Sequence, residues 1–187
     1  IFSHIITCLV EGEFMQMEDV YRIDQGIERY MTKTQKKTAD FMEGCMELGG
    51  LLGGWSESEI VELKKYGHAL GMAFQITDDI MDYRETTETT GKPVGNDLRE
   101  GLLTYPLLSI VNDDNKDRLL ADIKALNNGG NEQDIIDYVI AQGGIDNTLA
   151  LADKYCKDAF AALEAIRDFP GKEFLVMAVE NLADRKV

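Results

Sequence analysis

A long stretch with helical periodicity, from Ser56 to about Tyr83, most constrains what this chain can fold into. Ser56 and Glu59 have the spacing of a capping box, in which the two side chains satisfy backbone N–H groups at a helix start. Apolar or small residues then recur along one stripe at Ile60, Gly67, Phe74 and Met81. At 1.5 Å per residue this helix is about 40 Å long, so it can cross a whole domain.

The remaining sequence predicts further helices separated by glycine, asparagine and proline. They are expected over residues 1–17, 24–31, 34–52, from 115 to about 123, 132–142, 146–167 and 172–183, with Asp24, Thr34 and Asn131 as N-caps. Residues 86–101 are polar and contain glycine, and are expected to form a functional loop. No segment has the alternation typical of a strand. The pattern therefore predicts an all-α bundle, with residues 1–187 in one domain.

The composition argues against several classes of function. Aspartate and glutamate total 34 against 19 lysines and arginines, a net charge of -15, which argues against a nucleic-acid partner. No apolar run approaches the length of a transmembrane helix. The three cysteines, Cys8, Cys45 and Cys156, match neither a disulfide framework nor a zinc pattern, which favours a reducing, cytoplasmic location.

The predicted long helix carries an acidic run near its end. Gln75, Asp78, Asp79 and Asp82 are spaced at i, i+3, i+4 and i+7, so they share one helix face. Like charges at this spacing repel, and the apolar neighbours predict a buried helix. Magnesium takes oxygen ligands and bridges carboxylates to substrate phosphates, so these aspartates are candidate metal ligands. A solvated acidic face is the alternative explanation.

Two further segments contain cations in suitable settings for phosphate. One is the turn Gly91-Lys92-Pro93-Val94-Gly95, which is followed by Asp97; the other is Lys36-Lys37-Thr38-Ala39. Lysine is a compact cation suited to phosphate, and glycine lets a backbone approach a ligand. Taken alone, the first is better explained as a surface turn and the second as a solvated basic face.

Taken together, these segments resemble the C-terminal portion of a trans-type polyprenyl diphosphate synthase. The matching motifs are FQ and the second DDxxD at residues 74–82, GKPxGxDLxxG at 91–101, KTA at 37–39, GExxQ at 12–16 and GGI at 143–145. Each motif is weak by itself, but the ordered set spans the whole chain and is specific.

The resemblance implies an isoprenoid-synthase-type helical bundle with prenyltransferase activity. Such an enzyme condenses an allylic diphosphate with isopentenyl diphosphate in a Mg²⁺-dependent, head-to-tail elongation. The implied metal ligands are Asp78, Asp79 and Asp82, which together with Lys37 and Lys92 are the implied catalytic residues; the implied substrate-binding residues are Lys37, Thr38, Phe74, Gln75, Lys92 and Asp97. Phe74 is expected either beside the isoprenoid chain or in the core. His4 and His68 match no motif and are expected to be structural.

The sequence departs from the family pattern in two ways. The first DDxxD motif and the N-terminal helices would lie upstream of residue 1, so the chain alone is expected to make no prenyl product. Leu102 stands where many members have lysine, and Arg99 is a candidate replacement for that cation.

The resemblance also implies partners and leaves alternatives open. A homodimer is expected, or a heterodimer with another prenyl synthase subunit. The alternative functions are a non-catalytic regulatory subunit of a prenyl synthase, a class I terpene cyclase, and a purely structural acidic bundle.

Overall fold

The computed structural model describes residues 1–84 and 95–185, and every regular element in these two ranges is helical. The helices are α1 (Phe2–Glu18), α2 (Gly26–Thr34), α3 (Asp40–Leu52), α4 (Glu57–Arg84), α5 (Asn96–Glu100), α6 (Tyr105–Leu108), α7 (Lys116–Ala125), α8 (Glu132–Ala141), α9 (Gly144–Glu164) and α10 (Lys172–Asp184). A π turn at Gln35–Ala39 joins α2 to α3, and a 3₁₀ turn at Leu126–Asn128 follows α7. The predicted all-α class is confirmed.

The start of α4 confirms the predicted capping box. The Ser56 hydroxyl accepts the Glu59 N–H at 3.4 Å, and the Glu59 carboxylate accepts the Ser56 N–H at 3.0 Å. Asn131 likewise accepts the Gln133 N–H at the start of α8. These local signals determine where the two helices begin, because each N-terminus otherwise leaves backbone donors without partners.

Two predicted caps are wrong. Thr34 has helical dihedral angles (φ -59, ψ -44) and is buried, so it lies inside a helix rather than at the start of one. The chain continues from α2 through the π turn into α3 without a break. Asp24 also makes no cap, because α2 begins at Gly26 without a side-chain cap. Both threonine and aspartate are common at helix starts, but packing decides their positions here.

Part of the predicted loop is helical. Residues 96–100 form the short helix α5, which begins after Gly95 in a left-handed conformation (φ 73). The Gly95 N–H donates a 2.9 Å hydrogen bond to the Asp82 carbonyl, which ties the start of this helix to α4. Lys92, with the rest of the Gly91–Val94 motif, lies outside the described residues.

α4 crosses the centre of the bundle and packs along α3 on one side and α9 on the other. Its buried side chains join three apolar clusters: Ile80 and Tyr83 reach one, Leu63 and Tyr66 a second, and Met72 and Ile76 a third. Because α4 contributes to all three clusters, its position is set along most of its length. The acidic residues near its end are therefore held on a rigid element.

α1 leaves one apolar face exposed. Along it lie Phe2, Ile6, Val10, Phe14 and Met17. These residues follow the spacing of a single helical stripe, while Ile5 and Cys8 on the other side are buried. Within the described residues, no helix combines the length and apolar character required of a membrane span.

Candidate active site

A cavity of about 270 Å³ gathers side chains from several of the sequence motifs. It is lined by Gln16, Tyr30, Lys33, Thr34, Lys37, Thr38, Gln75, Asp78, Asp79, Asp97, Leu102 and Thr104. Six of the nine predicted site residues thus meet in one place, although they come from distant parts of the chain. Phe74 and Asp82 do not line the cavity, and Lys92 lies outside the described residues.

The π turn places Lys37 and Thr38 at this cavity. An extra residue in a helical turn redirects side chains, and such turns are frequent at functional sites. Two glycines let neighbouring helices reach the turn: a Cβ at Gly12 would lie 2.8 Å from the Lys37 backbone nitrogen, and one at Gly71 would lie 2.6 Å from the Ala39 Cα. Because the atoms that each added Cβ would meet belong to the backbone, they cannot move aside as a side chain could. α1 and α4 can therefore pack against the π turn only with glycine at these positions.

The GExxQ motif holds the lysine of the KTA motif. The Lys37 ammonium lies 3.0 Å from a Glu13 carboxylate oxygen and donates a 3.0 Å hydrogen bond to the Gln16 side-chain oxygen. Both partners are on α1, one turn apart. The two motifs, which are separate in sequence, therefore form one unit that orients a cation towards the cavity.

A chain of hydrogen bonds links the π turn to α4. The Thr38 hydroxyl donates to the Gln75 side-chain oxygen at 3.0 Å, and the Gln75 nitrogen donates to one oxygen of Asp79 at 3.0 Å. The Tyr30 hydroxyl donates to the other Asp79 oxygen at 2.6 Å. Burial raises the pKa of Asp79 to about 6, although both hydrogen bonds act in the opposite direction. Asp79 is thus a buried carboxylate with one donor on each oxygen.

Asp82 has a different set of partners. One of its oxygens accepts the Asn96 N–H at 3.0 Å and the other accepts the Asp97 N–H at 3.1 Å. Burial raises the pKa of Asp82, while these two backbone donors favour its charged form. In this arrangement Asp82 holds the start of α5, and its predicted role as a metal ligand stays a prediction.

Asp97 and Asp78 complete the acidic side of the cavity. Burial, followed by the charges of Asp82, Asp79 and Asp78, raises the pKa of Asp97 to about 7. Asp78 is exposed, and its carboxylate accepts no hydrogen bond from residues 1–84 or 95–185. Its oxygens are therefore available to a cation, and a cation bound there would also relieve the repulsion that Asp97 experiences.

Another cluster of potential ligands lies away from this cavity. In the described part of the chain, Asp40, Glu43 and His68 are the group whose ligand atoms come within 4.8 Å of one another. Glu43 is already 3.5 Å from the Lys64 ammonium. Glu43 and His68 also line a larger groove of about 680 Å³, which contains none of the motif residues. The predicted ligands Asp78, Asp79 and Asp82 do not converge into a comparably tight group.

Sequence reasoning missed Tyr30 and Lys33 as cavity residues. They precede Lys37 by seven and four residues, so all three lie on one helical face. That spacing was a usable signal, but the assignment of Thr34 as a helix start concealed it. Phe74 is 38% exposed, so it is not part of the buried core of the described residues, and its role beside the isoprenoid chain stays a prediction.

Comparison with known proteins agrees with the motifs. The polyprenyl synthetase family model matches residues 1–142. The octaprenyl diphosphate synthase of Escherichia coli is 32% identical over 179 residues, covering 94% of this chain and 55% of that protein. Component 2 of the heptaprenyl diphosphate synthase of Geobacillus stearothermophilus is 32% identical over 166 residues, covering 89% and 52%. The chain belongs to the polyprenyl synthetase family, as the sequence resemblance predicts.

Solved structures show the same fold. A heptaprenyl diphosphate synthase from Staphylococcus aureus superposes with a TM-score of 0.87 at 27% identity, covering 100% of this chain and 59% of that one. A polyprenyl synthase from Caulobacter crescentus, complexed with calcium and isoprenyl diphosphate, gives 0.86 at 29% identity, with 100% and 58% covered. The chain spans somewhat more than half the length of these relatives.

Proposed function

We propose that this chain is part of a prenyltransferase that joins an allylic diphosphate to isopentenyl diphosphate in head-to-tail elongation. The observation that carries the proposal is the cavity in which Lys37, Thr38 and Gln75 lie with Asp78 and Asp79. A diphosphate is an anion with many acceptor oxygens, so it needs both cations and hydrogen-bond donors. The family membership and the sequence motifs favour this substrate class over other phosphates.

Lys37 and Thr38 are the proposed contacts of the diphosphate on the π turn. The ammonium of Lys37 is held by Glu13 and Gln16, so its position is set before substrate arrives. Preorganised charge of this kind stabilises the negative charge that develops on a departing diphosphate. Lys92 is a second proposed contact, from the motif that lies outside the described residues.

The residues present fit a magnesium ion. Asp78 offers an exposed carboxylate at a cavity that also contains Asp79 and Asp97, and oxygen is the ligand atom that Mg²⁺ prefers. Asp78 would be the principal ligand of the ion, and Asp79 and Asp82 would complete the acidic site. Bound magnesium would supply charge stabilisation to the leaving diphosphate. The Caulobacter crescentus relative contains calcium together with isoprenyl diphosphate, which supports a divalent cation at such a site.

Phe74 is the proposed neighbour of the isoprenoid chain. It is an exposed aromatic one residue before Gln75, and apolar walls are needed to keep water away from an allylic cation.

A second candidate is a component of a two-protein synthase. The relatives from Geobacillus stearothermophilus and Bacillus subtilis are both named as component 2 of heptaprenyl diphosphate synthase. The exposed apolar face of α1 is a candidate surface for either assembly, a homodimer or a heterodimer with another prenyl synthase subunit. Light scattering on the purified chain, alone and with a candidate partner, distinguishes these assemblies.

Calorimetric titration of the chain with inorganic pyrophosphate tests the proposed site. We expect binding that depends on Mg²⁺ and weakens at least about tenfold in Asp78→Asn, because a charged ligand is lost. Asp146→Asn is the matched control, since Asp146 is exposed on α9 and does not line the cavity. Equal binding by both variants would remove Asp78 from the site. The expectation that this chain makes no prenyl product alone stays a prediction, and an elongation assay with both diphosphates tests it.

A further inference from the structure

Lys33 lies in the same cavity as the motif residues but belongs to none of the motifs. It is on α2, one helical turn before Lys37, and it is only 7% exposed. Lysine is rarely buried to this degree unless a partner compensates its charge. The surroundings of its ammonium therefore indicate what Lys33 does.

The ammonium of Lys33 has few partners within the protein. It forms an ion pair with Asp19 at 4.0 Å, a distance that is too long for a hydrogen bond. No hydrogen bond from Lys33 is formed within residues 1–84 and 95–185, although an ammonium has three N–H donors. Because Lys33 lines the cavity, those donors are available to a ligand there.

Asp19 does not depend on Lys33 for its own charge. This fully buried carboxylate receives two hydrogen bonds from the Arg29 guanidinium, at 2.8 and 3.1 Å, and lies 3.5 Å from Arg22. Arg29 thus makes the close ion pair with Asp19, and Lys33 is the more distant cation. A purely structural role, as counter-ion to Asp19, leaves the donors of Lys33 unexplained.

Desolvation makes the position of Lys33 costly. Burial lowers the pKa of Lys33, and the charges of Asp19 and Asp79 only partly oppose this. An anion in the cavity would compensate the charge of Lys33 and would also accept hydrogen bonds from its ammonium. Lysine suits this task because its ammonium acts as a compact point charge towards phosphate.

We propose that Lys33 is a further diphosphate-binding residue, which donates to the same diphosphate as Lys37; this rests on the proposed function. Leu102 lines the same cavity at the position where many family members have lysine. Lys33 would supply the cation that is missing there. Arg99, the candidate suggested by the sequence, is instead paired with Glu132 and does not line the cavity.

Pyrophosphate titration in the presence of Mg²⁺ tests the role of Lys33. We expect Lys33→Met to bind about tenfold more weakly than the wild-type chain, the effect of losing one charge-assisted hydrogen bond. Lys36→Met is the matched control, because Lys36 is paired with Glu11 at 2.5 Å and does not line the cavity. It should bind as the wild type does.

A second cation placed at another residue of the cavity lining provides a rescue. Leu102→Lys introduced into Lys33→Met should recover most of the affinity, which a counter-ion to Asp19 could not explain. Lys33→Gln, which keeps a polar group beside Asp19, should lose affinity like Lys33→Met and guards against misfolding of the first variant. Thermal denaturation without ligand records the stability of each.

Two negative results have different meanings. If the wild-type chain binds pyrophosphate and Lys33→Met and Lys33→Gln bind it equally well, Lys33 is a structural counter-ion and our inference is wrong. If the wild-type chain itself binds no pyrophosphate with Mg²⁺, the proposed function fails and the inference fails with it.

Discussion

The Tyr30 hydroxyl donates a 2.6 Å hydrogen bond to the Asp79 carboxylate, joining α2 to α4 across 49 residues of sequence. Both side chains are almost completely buried, at 1% and 4% exposure. Asp79 also raises the pKa of Tyr30, which burial already places well above its ordinary value. The tyrosine hydroxyl therefore stays protonated, and its hydrogen bond fixes the orientation of a carboxylate at the candidate site.

Tyr30→Phe should destabilise the chain by about 1–3 kcal/mol, because it leaves a buried carboxylate oxygen without a donor. Urea denaturation measures this loss in the free energy of unfolding. Tyr155→Phe is the control, since the Tyr155 hydroxyl makes no hydrogen bond within the described residues and the ring is retained. A similar loss in both variants would mean that the hydrogen bond to Asp79 contributes little.

Asp97 should make the stability of the chain depend on pH. Its folded-state pKa of about 7 lies above the ordinary value of 3.8, so the folded state binds the proton more tightly than the unfolded state does. The stabilising effect of the protonated form is complete below pH 3.8 and is lost as the pH rises through about 7.

Asp97→Asn isolates that effect from the other carboxylates. Without divalent cations, the free energy of unfolding of the wild type relative to this variant should fall across that pH window and level off above it. Denaturant titrations at several pH values measure the difference. Asp146→Asn should show no comparable trend, and a flat difference for Asp97→Asn would contradict the prediction.

Gly71→Ala should be destabilising by about 1–3 kcal/mol, since its Cβ would meet the Ala39 backbone at 2.6 Å and force the π turn to shift. Gly49→Ala is the matched control in α3, because no atom lies within 4 Å of its added Cβ. That variant should be stabilising by about 0.5–1 kcal/mol through helix propensity. Thermal unfolding separates the two signs, and pyrophosphate titration reports whether Lys37 has moved.

Asp78→Ala should lower turnover about 100-fold or more in any form of the protein that elongates a prenyl substrate, a loss of about 2.7–4 kcal/mol in transition-state stabilisation. The fold should be retained, because Asp78 is exposed and its removal relieves repulsion among the acidic residues. Steady-state kinetics at limiting magnesium, alongside a melting curve, provide the measurement. Near-normal turnover in a well-folded variant would falsify the metal-binding role.

Much of the candidate site could be predicted from local sequence. The spacing of Gln75, Asp78 and Asp79 already places them on one helix face, and the residues of the KTA and GExxQ motifs matched a family pattern. Such predictions succeed because helical periodicity is a property of neighbouring residues. The capping box at Ser56 and the cap at Asn131 succeeded for the same reason.

The failures share a tertiary cause. Thr34 has the chemistry of a helix cap, yet it lies inside a continuous helix because Tyr30 is buried against Asp79 and the π turn is held by α1 and α4. No local pattern predicts the π turn, because the turn depends on the close approach of α1 and α4 that Gly12 and Gly71 allow. The same packing brings Lys33 to the cavity, although its spacing from Lys37 already places both lysines on one helical face.

The sequence by itself determined the helical class, most helix boundaries, the family and the shared face of the acidic residues, because these follow from spacing and capping along the chain. Only the tertiary structure decided what each side chain does. It gave Asp79 a hydrogen-bond donor on each oxygen, used Asp82 to hold the start of α5 and left Asp78 exposed. It also paired Arg99 with Glu132 and placed Lys33 at the cavity. These roles depend on contacts between residues far apart in sequence, where burial and competing partners set the free energy of each charge.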